Sequence, residues 1–346
     1  MARAIDGTAT ALARSLMFSR SLPSSNTLAE LALYQERGIT GLLGVDPPMP
    51  DVRLTQQRTT RRFMLADVAF DSSHEPLTPR GQNLRKGAHA CNGVAHARWV
   101  RHRWPRKDGR QRCTVLFLHS WMAPVSRAED AFLLPWIARK LDANVVGLHL
   151  PYHGRRKPDE SAFHGEYYWT ADLVRTFEAL RQSISDARAL IAWIRGQHPH
   201  PGPVGVMGVS LGGMVALGLA SFEPTLDFAI PVAAHLDLAG VLADAALLVP
   251  MRKELARHGW GPAEVDAYTR SLGLNELPPS IDRDRMLFVV GRYDRIMTTE
   301  RTVDLWERWG QPSIHWFEAG HLGILTHLAG ILRASKGFID DGPNAG

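Results

Sequence analysis

The sequence has few cysteines, no long hydrophobic run and no low-complexity tract. No stretch of about 18 or more uncharged apolar residues is present, and Arg14 and Arg20 interrupt the apolar residues near the N-terminus, which argues against both a membrane span and a signal peptide. Cys91 and Cys113 are the two cysteines, and without a secretory signal we expect their thiols to stay reduced. We therefore expect a soluble, cytoplasmic protein without a transmembrane segment.

The composition is that of a folded protein with a large core. The chain has 346 residues, of which 45% are hydrophobic and 22% are charged. A helical pattern covers residues 8–44, and the segment "DPPMPD" at 46–51 breaks the chain. These features predict an N-terminal helical extension over 1–52, followed by one large domain over 53–346.

Positive charge is concentrated in residues 53–112, which hold 14 Lys and Arg against 4 Asp and Glu. Within this stretch "HARWVRHRWPRKDGR" interleaves tryptophan with arginine, a pattern that can bind phosphates and stack bases. The alternation of Ala97 and Trp99 with Arg98 is also typical of an edge strand with a basic, solvated face. Because no recognition motif accompanies the basic residues, we favour the edge strand and expect no nucleic-acid partner.

Four short apolar runs are each followed by a turn and a helical pattern: "TVLFLHS", "NVVGLHLPY", "VGVMGVS" and "FAIPVAA". Strands that alternate with helices predict an α/β fold with a mostly parallel central sheet and helices on both faces. The clearest helix has an apolar stripe, with polar residues such as Glu178, Gln182 and Arg188 elsewhere on the helical wheel. The stripe consists of Leu173, Phe177, Leu180, Ile184, Ala187, Ile191 and Ile194. We expect this helix to bury one face against the sheet.

A lone serine lies between two glycines where the third of these strands passes into a helix. Residues 208–212, "GVSLG", match the G-x-S-x-G pattern in the strand–turn–helix context that a nucleophile elbow requires. Side chains at 208 and 212 would collide with neighbouring backbone, whereas glycine lets Ser210 stand clear of the sheet. Ser210 is therefore the predicted nucleophile.

A serine hydroxyl needs a base that accepts its proton and an acid that orients this base. His321 lies in a glycine-bounded loop after an apolar stretch and is the predicted base. Asp294 follows the apolar core of the preceding strand and is the predicted acid, with Asp237 as the alternative because it also follows a strand end. The chain order Ser, acid, His is found in one fold among those that use such a triad.

The sequence resembles the alpha/beta-hydrolase superfamily over roughly residues 60–337, and within it the serine esterases and lipases. The motifs that carry the resemblance are "LHSW" after the first parallel strand, "GVSLGG" at the elbow, "GRYD" at the acid and "EAGH" at the base. Their order and spacing fit the family. The resemblance implies the alpha/beta-hydrolase fold.

The resemblance also implies a role for each motif residue. Ser210 would be the nucleophile, His321 the general base and then acid, and Asp294 the residue that orients it; the backbone N–H groups of Leu211 and Trp121 would form the oxyanion hole. Family members usually carry His-Gly where this chain has a histidine followed by a serine, at 119–120. That serine either adds a third hydrogen bond or fits the turn, and we favour the turn.

A second segment, "LPYHGRRKP", looks like a loop found after the second parallel strand in a poorly characterised subgroup of these hydrolases, with the pattern aromatic-x-Gly-x-Arg-Lys-Pro. In open α/β sheets, ligands bind at the carboxyl ends of the strands, so we predict that His119, Ser120, Tyr152 and His153 contact substrate. The basic residues 155–157 either support an anionic substrate or form solvated surface.

We expect neither a metal nor a cofactor. His149 and His153 are four residues apart, a spacing that brings two ligands together on a helix, but Pro151 and Gly154 indicate a loop.

Residues 236–280 are predicted to form a helical cap inserted between two strands. Leu247, Leu248, Met251 and Trp260 are candidates for an apolar pocket, although plain packing would equally account for them.

The sequence therefore predicts a serine hydrolase that cleaves a small-molecule carboxylic ester through an acyl-enzyme intermediate, with a lipid or an anionic ester as candidate substrates. An acyltransferase and a peptidase or amidase share every residue named here and stay open as alternatives. A non-catalytic basic binding protein with the same fold is the alternative from another class.

Overall fold

The computed structural model describes residues 26–197 and 202–342. Within these ranges the chain forms a nine-stranded sheet and ten α-helices. The strands are β1 (Arg53–Thr59), β2 (Phe63–Asp71), β3 (Val94–His102), β4 (Thr114–Leu118), β5 (Asn144–His149), β6 (Val204–Val209), β7 (Phe228–Val232), β8 (Leu287–Gly291) and β9 (Ser313–Phe317). The helices are α1 (Asn26–Leu43), α2 (Pro79–Lys86), α3 (Arg127–Leu141), α4 (Leu173–Arg195), α5 (Leu211–Phe222), α6 (Leu238–Asp244), α7 (Val249–Arg257), α8 (Pro262–Ser271), α9 (Thr299–Arg308) and α10 (Ile324–Asp341).

The spatial order of the strands is β1-β2-β3-β5-β4-β6-β7-β8-β9. β1, β2 and β3 run antiparallel to their neighbours. The other six strands, β4 to β9, are parallel to one another. The central parallel strands β4, β6, β7 and β8 are buried almost throughout, as expected for a sheet covered on both faces. The predicted mostly parallel sheet is confirmed.

Helices cover both faces of the sheet and create two apolar cores. One core contains α1, α4 and α5, and the other contains α3 and α10. Successive residues of β4 alternate between them, since Leu116 and Leu118 belong to the first core while Val115 and Phe117 belong to the second. No helix in the described ranges is both long and apolar enough to cross a membrane.

The prediction that β3 is an edge strand is wrong. β3 pairs with β2 on one side and β5 on the other, and β1 forms that edge of the sheet. All seven residues of β1 are exposed, and its sequence, RLTQQRT, has no alternation of apolar and polar residues that would indicate a strand. Arg98 on β3 forms an ion pair with Asp67 on β2, and Arg101 lies over the Trp99 ring, so basic side chains of this strand have partners within the fold.

The apolar stripe of α4 is buried as predicted, but the opposite face is not solvated. Glu178, Gln182 and Arg188 are buried as well. α1 and the segment after β2 cover that face: the Tyr34 hydroxyl on α1 donates to Glu178, and Gln182 donates to Ser72 Oγ at 3.1 Å. Part of the predicted 1–52 extension thus packs into the domain, whereas residues 1–25 fall outside the described ranges.

Candidate active site

Ser210 lies on the sharp turn between β6 and α5. Its backbone φ is +55°, in the left-handed region that a residue with a side chain seldom adopts, and its N–H donates to the Val232 carbonyl at 2.8 Å. A Cβ atom on Gly208 would lie 2.0 Å from the Gly212 carbonyl oxygen, and one on Gly212 would lie 2.2 Å from that of Leu118. Because neither contact is sterically possible, both positions require glycine.

Two hydrogen bonds join Ser210, His321 and Asp294. His321 Nε2 lies 2.8 Å from Ser210 Oγ, and His321 Nδ1 lies 2.7 Å from Asp294 Oδ2. The other carboxylate oxygen, Asp294 Oδ1, accepts the N–H groups of Ile296 at 2.9 Å and Met297 at 3.0 Å. The structure therefore brings together the three side chains that the sequence predicts as catalytic, and orients the acid with backbone donors.

The loops that carry the acid and the histidine are bonded to each other. Both leave the carboxyl ends of neighbouring parallel strands, β8 and β9. Arg292 N–H donates to the Phe317 carbonyl at 3.1 Å, and Tyr293 N–H donates to the Ala319 carbonyl at 3.2 Å. These bonds continue the β8–β9 pairing beyond the sheet, which fixes the separation of Asp294 and His321.

Asp237, the alternative acid, has a different position. Its Oδ1 accepts the Gly240 N–H at 2.9 Å and so caps α6, while its Oδ2 forms an ion pair with Arg301. Arg301 also contacts Asp244, at 2.8 Å, so it ties both ends of α6 to α9. Both carboxylate oxygens of Asp237 are thus engaged by partners other than His321.

A cavity of about 190 Å³ opens beside Ser210. Ser120, Ser210 and His321 supply its polar side chains, and the other lining residues are apolar. The lining consists of Ser120, Trp121, Met122, Trp169, Ser210, Leu211, Met214, Val241, Ala245, Leu247, Leu248, Ile296, Met297, His321 and Leu322. The region predicted as a cap thus forms one wall of the cavity through α6 and the turn that follows it.

The two predicted oxyanion-hole residues, Leu211 and Trp121, both line this cavity next to Ser210. Leu211 is the first residue of α5, where backbone N–H groups have no partner within the helix. Neither its N–H nor that of Trp121 donates to a protein acceptor within the described ranges. The N-terminus of α5 therefore favours negative charge near the Leu211 N–H, and Trp121 lines the same cavity.

Of the four predicted substrate contacts, Ser120 lies in the cavity and the other three do not. Both ring nitrogens of His119 are bonded to backbone, to the Ser120 carbonyl at 2.9 Å and the Leu150 N–H at 3.0 Å. Tyr152 is held near Asn92, whose side chain accepts its N–H at 2.9 Å. His153 is fully buried behind His119, with ring centroids 4.7 Å apart.

Two of the three basic residues in the loop after β5 are neither solvated surface nor an open anion site. Arg155 forms an ion pair with Asp67. Arg156 is fully buried and pairs with Asp186 on α4 at 2.8 Å. Because each of these two guanidinium groups faces a carboxylate of the protein, the loop is tied to the fold.

Sequence reasoning missed several cavity residues because their positions follow from packing between distant segments. Trp169, Met214, Val241, Ile296 and Met297 all line the cavity. Of these, Met214, Ile296 and Met297 carry a signal in the sequence, because each lies within four residues of a predicted catalytic residue. Leu247 and Leu248 line the cavity as the pocket hypothesis stated, whereas Met251 and Trp260 pack elsewhere in the core.

No group of three or more His, Cys, Asp or Glu side chains in the described part of the chain has an arrangement that suits a metal ion.

Comparisons with known proteins show one family profile that matches part of the chain and a sequence relative that matches most of it. The sequence profile of the X-Pro dipeptidyl-peptidase (S15) family matches residues 170–252, which include the elbow. The uncharacterized protein MT2702 of Mycobacterium tuberculosis (strain CDC 1551 / Oshkosh) is 28% identical over 313 residues, covering 87% of this chain and 71% of that protein.

Solved structures of similar architecture include two acetyl xylan esterases. The enzyme from Paenibacillus sp. R4 superposes with a TM-score of 0.55 at 11% identity, covering 94% of this chain and 98% of that one. Acetyl xylan esterase 1 from Thermoanaerobacterium sp. JW/SL YS485 gives 0.51 at 16% identity, with coverages of 92% and 96%. At such identities the likeness shows the fold.

The predicted fold, a mostly parallel central sheet with helices on both faces, is therefore confirmed. This chain has the alpha/beta-hydrolase fold.

Proposed function

We propose that this protein hydrolyses small carboxylic esters through an acyl-enzyme intermediate on Ser210. The observation that carries the proposal is the line of hydrogen bonds from Ser210 through His321 to Asp294 at the wall of an apolar cavity. A serine that is bonded to an imidazole, which is in turn oriented by a carboxylate, has the geometry of an activated nucleophile.

In the first half of the reaction, Ser210 Oγ attacks the ester carbonyl carbon while its proton passes to His321 Nε2. The carbonyl electron pair moves onto the oxygen, which receives hydrogen bonds from the N–H groups of Leu211 and Trp121. When the intermediate collapses, the bond to the alcohol oxygen breaks and that oxygen takes the proton from His321. Asp294 stabilises the imidazolium that exists between these two transfers.

In the second half, a water molecule takes the place of the alcohol. It attacks the acyl carbon as His321 Nε2 accepts its proton, and Ser210 leaves with that proton as the free hydroxyl. An acyltransferase would use the same steps with an alcohol or amine as acceptor. We favour hydrolysis because none of the described residues that line the cavity is Asp, Glu, Lys or Arg, so no charged side chain there would hold an acceptor alcohol or amine.

The size of the cavity favours a small acyl group. An apolar cavity of about 150 Å³ accommodates benzene, with six heavy atoms. By that measure a volume of about 190 Å³ holds an acyl group of roughly eight heavy atoms at most. The esterase names of the structural neighbours are consistent with this substrate class.

A peptidase is the second candidate, because the family profile that matches residues 170–252 is that of an X-Pro dipeptidyl-peptidase. A dipeptidyl-peptidase acts next to the substrate's amino terminus, which is positively charged at neutral pH and calls for a carboxylate partner. None of the described residues that line the cavity is Asp or Glu. The apolar lining therefore favours a neutral acyl group over a charged dipeptide.

Labelling with a fluorophosphonate probe, followed by turnover of p-nitrophenyl esters of increasing chain length, tests the proposal. Ser210→Ala should abolish labelling and lower ester turnover by about 10⁴-fold or more, with the fold intact by circular dichroism. Activity should fall steeply for acyl chains beyond about eight heavy atoms. Labelling that persists in the alanine variant would reject the nucleophile, and faster turnover of an Ala-Pro anilide than of any ester would favour the peptidase.

A further inference from the structure

His119 makes two hydrogen bonds to backbone, and the two define its tautomer. The Leu150 N–H donates to Nε2 at 3.0 Å, so Nε2 carries the lone pair, and Nδ1–H therefore donates to the Ser120 carbonyl at 2.9 Å. The imidazole thus bridges the ends of the neighbouring strands β4 and β5. A residue that the sequence predicts as a substrate contact is instead bonded within the protein.

The Ser120 carbonyl and the Trp121 N–H belong to one peptide unit. Because this unit is planar, a bond that fixes the direction of the carbonyl oxygen also fixes the direction of the N–H on the opposite side. The same oxygen accepts the Ala123 N–H at 3.3 Å. The orientation of the Trp121 N–H, the proposed oxyanion donor, is therefore set by the hydrogen bonds to the Ser120 carbonyl oxygen.

The Trp121 side chain is anchored on its other side. Its indole N–H donates to the Gly165 carbonyl at 2.8 Å. Gly165 has a φ of +83°, and a Cβ there would lie 2.6 Å from the Trp121 ring and 2.4 Å from His153 Nε2. The close approach of this loop to the indole requires glycine and leaves Trp121 little room to rotate.

Burial keeps the His119 imidazole neutral. The ring is almost inaccessible to solvent, and this desolvation lowers its pKa to about 3, well below the usual range for histidine. A neutral ring preserves the lone pair that accepts the Leu150 N–H, so the bridge persists across the pH range in which a catalytic histidine would titrate.

From these contacts we propose that His119 is a positioning residue for the oxyanion hole, acting through the Ser120–Trp121 peptide unit. The proposal rests on the function proposed above. His119 touches no reacting atom; it holds the Trp121 N–H in the direction of the developing oxyanion. Its loss should weaken binding of the transition state and leave binding of the ground-state ester nearly unchanged.

The test compares His119→Leu, which removes both ring bonds, with His119→Asn, whose amide N–H can replace Nδ1–H. Removing an oxyanion donor typically costs about 10²-fold to 10³-fold in kcat. We expect His119→Leu to lower kcat by about 10²-fold with KM within about threefold of wild type, and His119→Asn to recover at least about tenfold of that loss. Turnover is normalised to the fraction of protein labelled by fluorophosphonate at completion.

A trifluoromethyl ketone forms an oxyanion when serine adds to it. Its inhibition constant therefore reports on the oxyanion hole and does not change when the variant is merely less stable. Its inhibition constant should rise in His119→Leu by the same factor as kcat/KM falls. His102→Leu is the control: His102 also bonds a backbone carbonyl, that of Ala138 at 3.2 Å, but lies on β3. We expect its kcat and inhibition constant to match wild type.

If His119→Leu fails to fold, His119→Asn decides by its own kinetics, because it keeps a donor for the Ser120 carbonyl but lacks the imidazole that reaches the Leu150 N–H. We expect a kcat about tenfold lower with KM within about threefold. An unchanged kcat in the folded variants, or a KM that rises as kcat falls, overturns the positioning role. A loss of activity in Ser210→Ala together with normal His119 variants rejects this proposal alone, whereas full activity in Ser210→Ala rejects the function on which it rests.

Discussion

Two buried histidine–carboxylate pairs can be compared within this molecule. His321 Nδ1 lies 2.7 Å from Asp294, and His74 Nε2 lies 2.9 Å from Glu178. The side chains of both pairs are at least nine-tenths buried. By distance and burial alone, either would pass for half of a catalytic triad.

Their surroundings differ. Beyond His321 lies the Ser210 hydroxyl, 2.8 Å from Nε2, in a largely apolar cavity of about 190 Å³. His74 lines spaces of about 40 Å³ and about 460 Å³, but no hydroxyl in the described part of the chain is bonded to its ring. Glu178 also accepts the Tyr34 hydroxyl, the Leu77 N–H at 3.0 Å and the Arg181 guanidinium at 2.6 Å. A carboxylate with so many donors holds α1, α4 and the segment after β2 together. What marks a candidate catalytic pair is therefore the nucleophile that is bonded to the far side of the imidazole.

The largest effect expected from this comparison follows removal of one charge. Asp294→Asn should lower kcat for a short p-nitrophenyl ester by about 10⁴-fold with an unchanged circular dichroism spectrum, because the amide stabilises the wrong imidazole tautomer. Glu178→Gln should leave kcat per folded molecule within about twofold of wild type. Equal losses of kcat in the two variants would contradict the distinction.

The second prediction concerns stability. Glu178→Gln leaves the Arg181 guanidinium and the His74 ring buried without their anion, so we expect the free energy of unfolding in urea to fall by about 3 kcal/mol. Asp294→Asn, measured in the same way, serves as the matched variant from the other pair and should cost less, because its neighbours include no buried guanidinium. A larger stability loss in Asp294→Asn than in Glu178→Gln would contradict the structural role assigned to the Glu178 pair.

A third buried histidine extends the comparison, since His119 has no carboxylate partner. Its pKa of about 3 means that between pH 6.5 and 3 the unfolded chain binds a proton at this residue that the folded chain does not. Acidification therefore favours unfolding, by about 2 kcal/mol for this residue at pH 5 relative to pH 8. Between pH 8 and pH 5, His119→Asn should lose correspondingly less stability than wild type in urea melts. An identical loss in the variant and the wild type would contradict a pKa this low for His119.

The smallest effect is expected at Asp237. Asparagine is an equally good N-cap, so Asp237→Asn keeps the bond to Gly240 and removes the charge that faces Arg301 on a partly exposed surface. We expect kcat within about threefold of wild type and a stability loss of about 1 kcal/mol or less. A drop of 10²-fold or more in kcat would restore Asp237 as the acid.

The two histidine pairs also show what sequence patterns can predict. Ser210, Asp294 and His321 each follow a recognisable strand, and the ends of parallel strands meet at one edge of a sheet, so local motifs were sufficient. Glu178 was predicted to lie away from the core because its own helix gives it a polar position. Its burial depends on α1, more than 130 residues earlier, and no periodicity within α4 records that contact.

The same limit applies to the edge strand and the cavity. β3 carries basic residues that look solvated, but their partners, such as Asp67, lie on a strand whose pairing the pattern does not specify. The walls of the cavity come from Trp169, Met214 and the turn after α6, segments that meet only in the folded chain.

The contact of Gly212 with the end of β4 has a consequence for how catalysis would proceed. A Cβ at this position would lie 2.2 Å from the Leu118 oxygen and 2.7 Å from the His119 oxygen, so the first turn of α5 rests directly on the strand that leads to Trp121. The two segments that carry the proposed oxyanion donors are therefore one rigid unit, assembled when the chain folds. The dipoles that stabilise the transition state are already oriented before an ester arrives, and the reaction would carry almost no reorganisation energy for this part of the site.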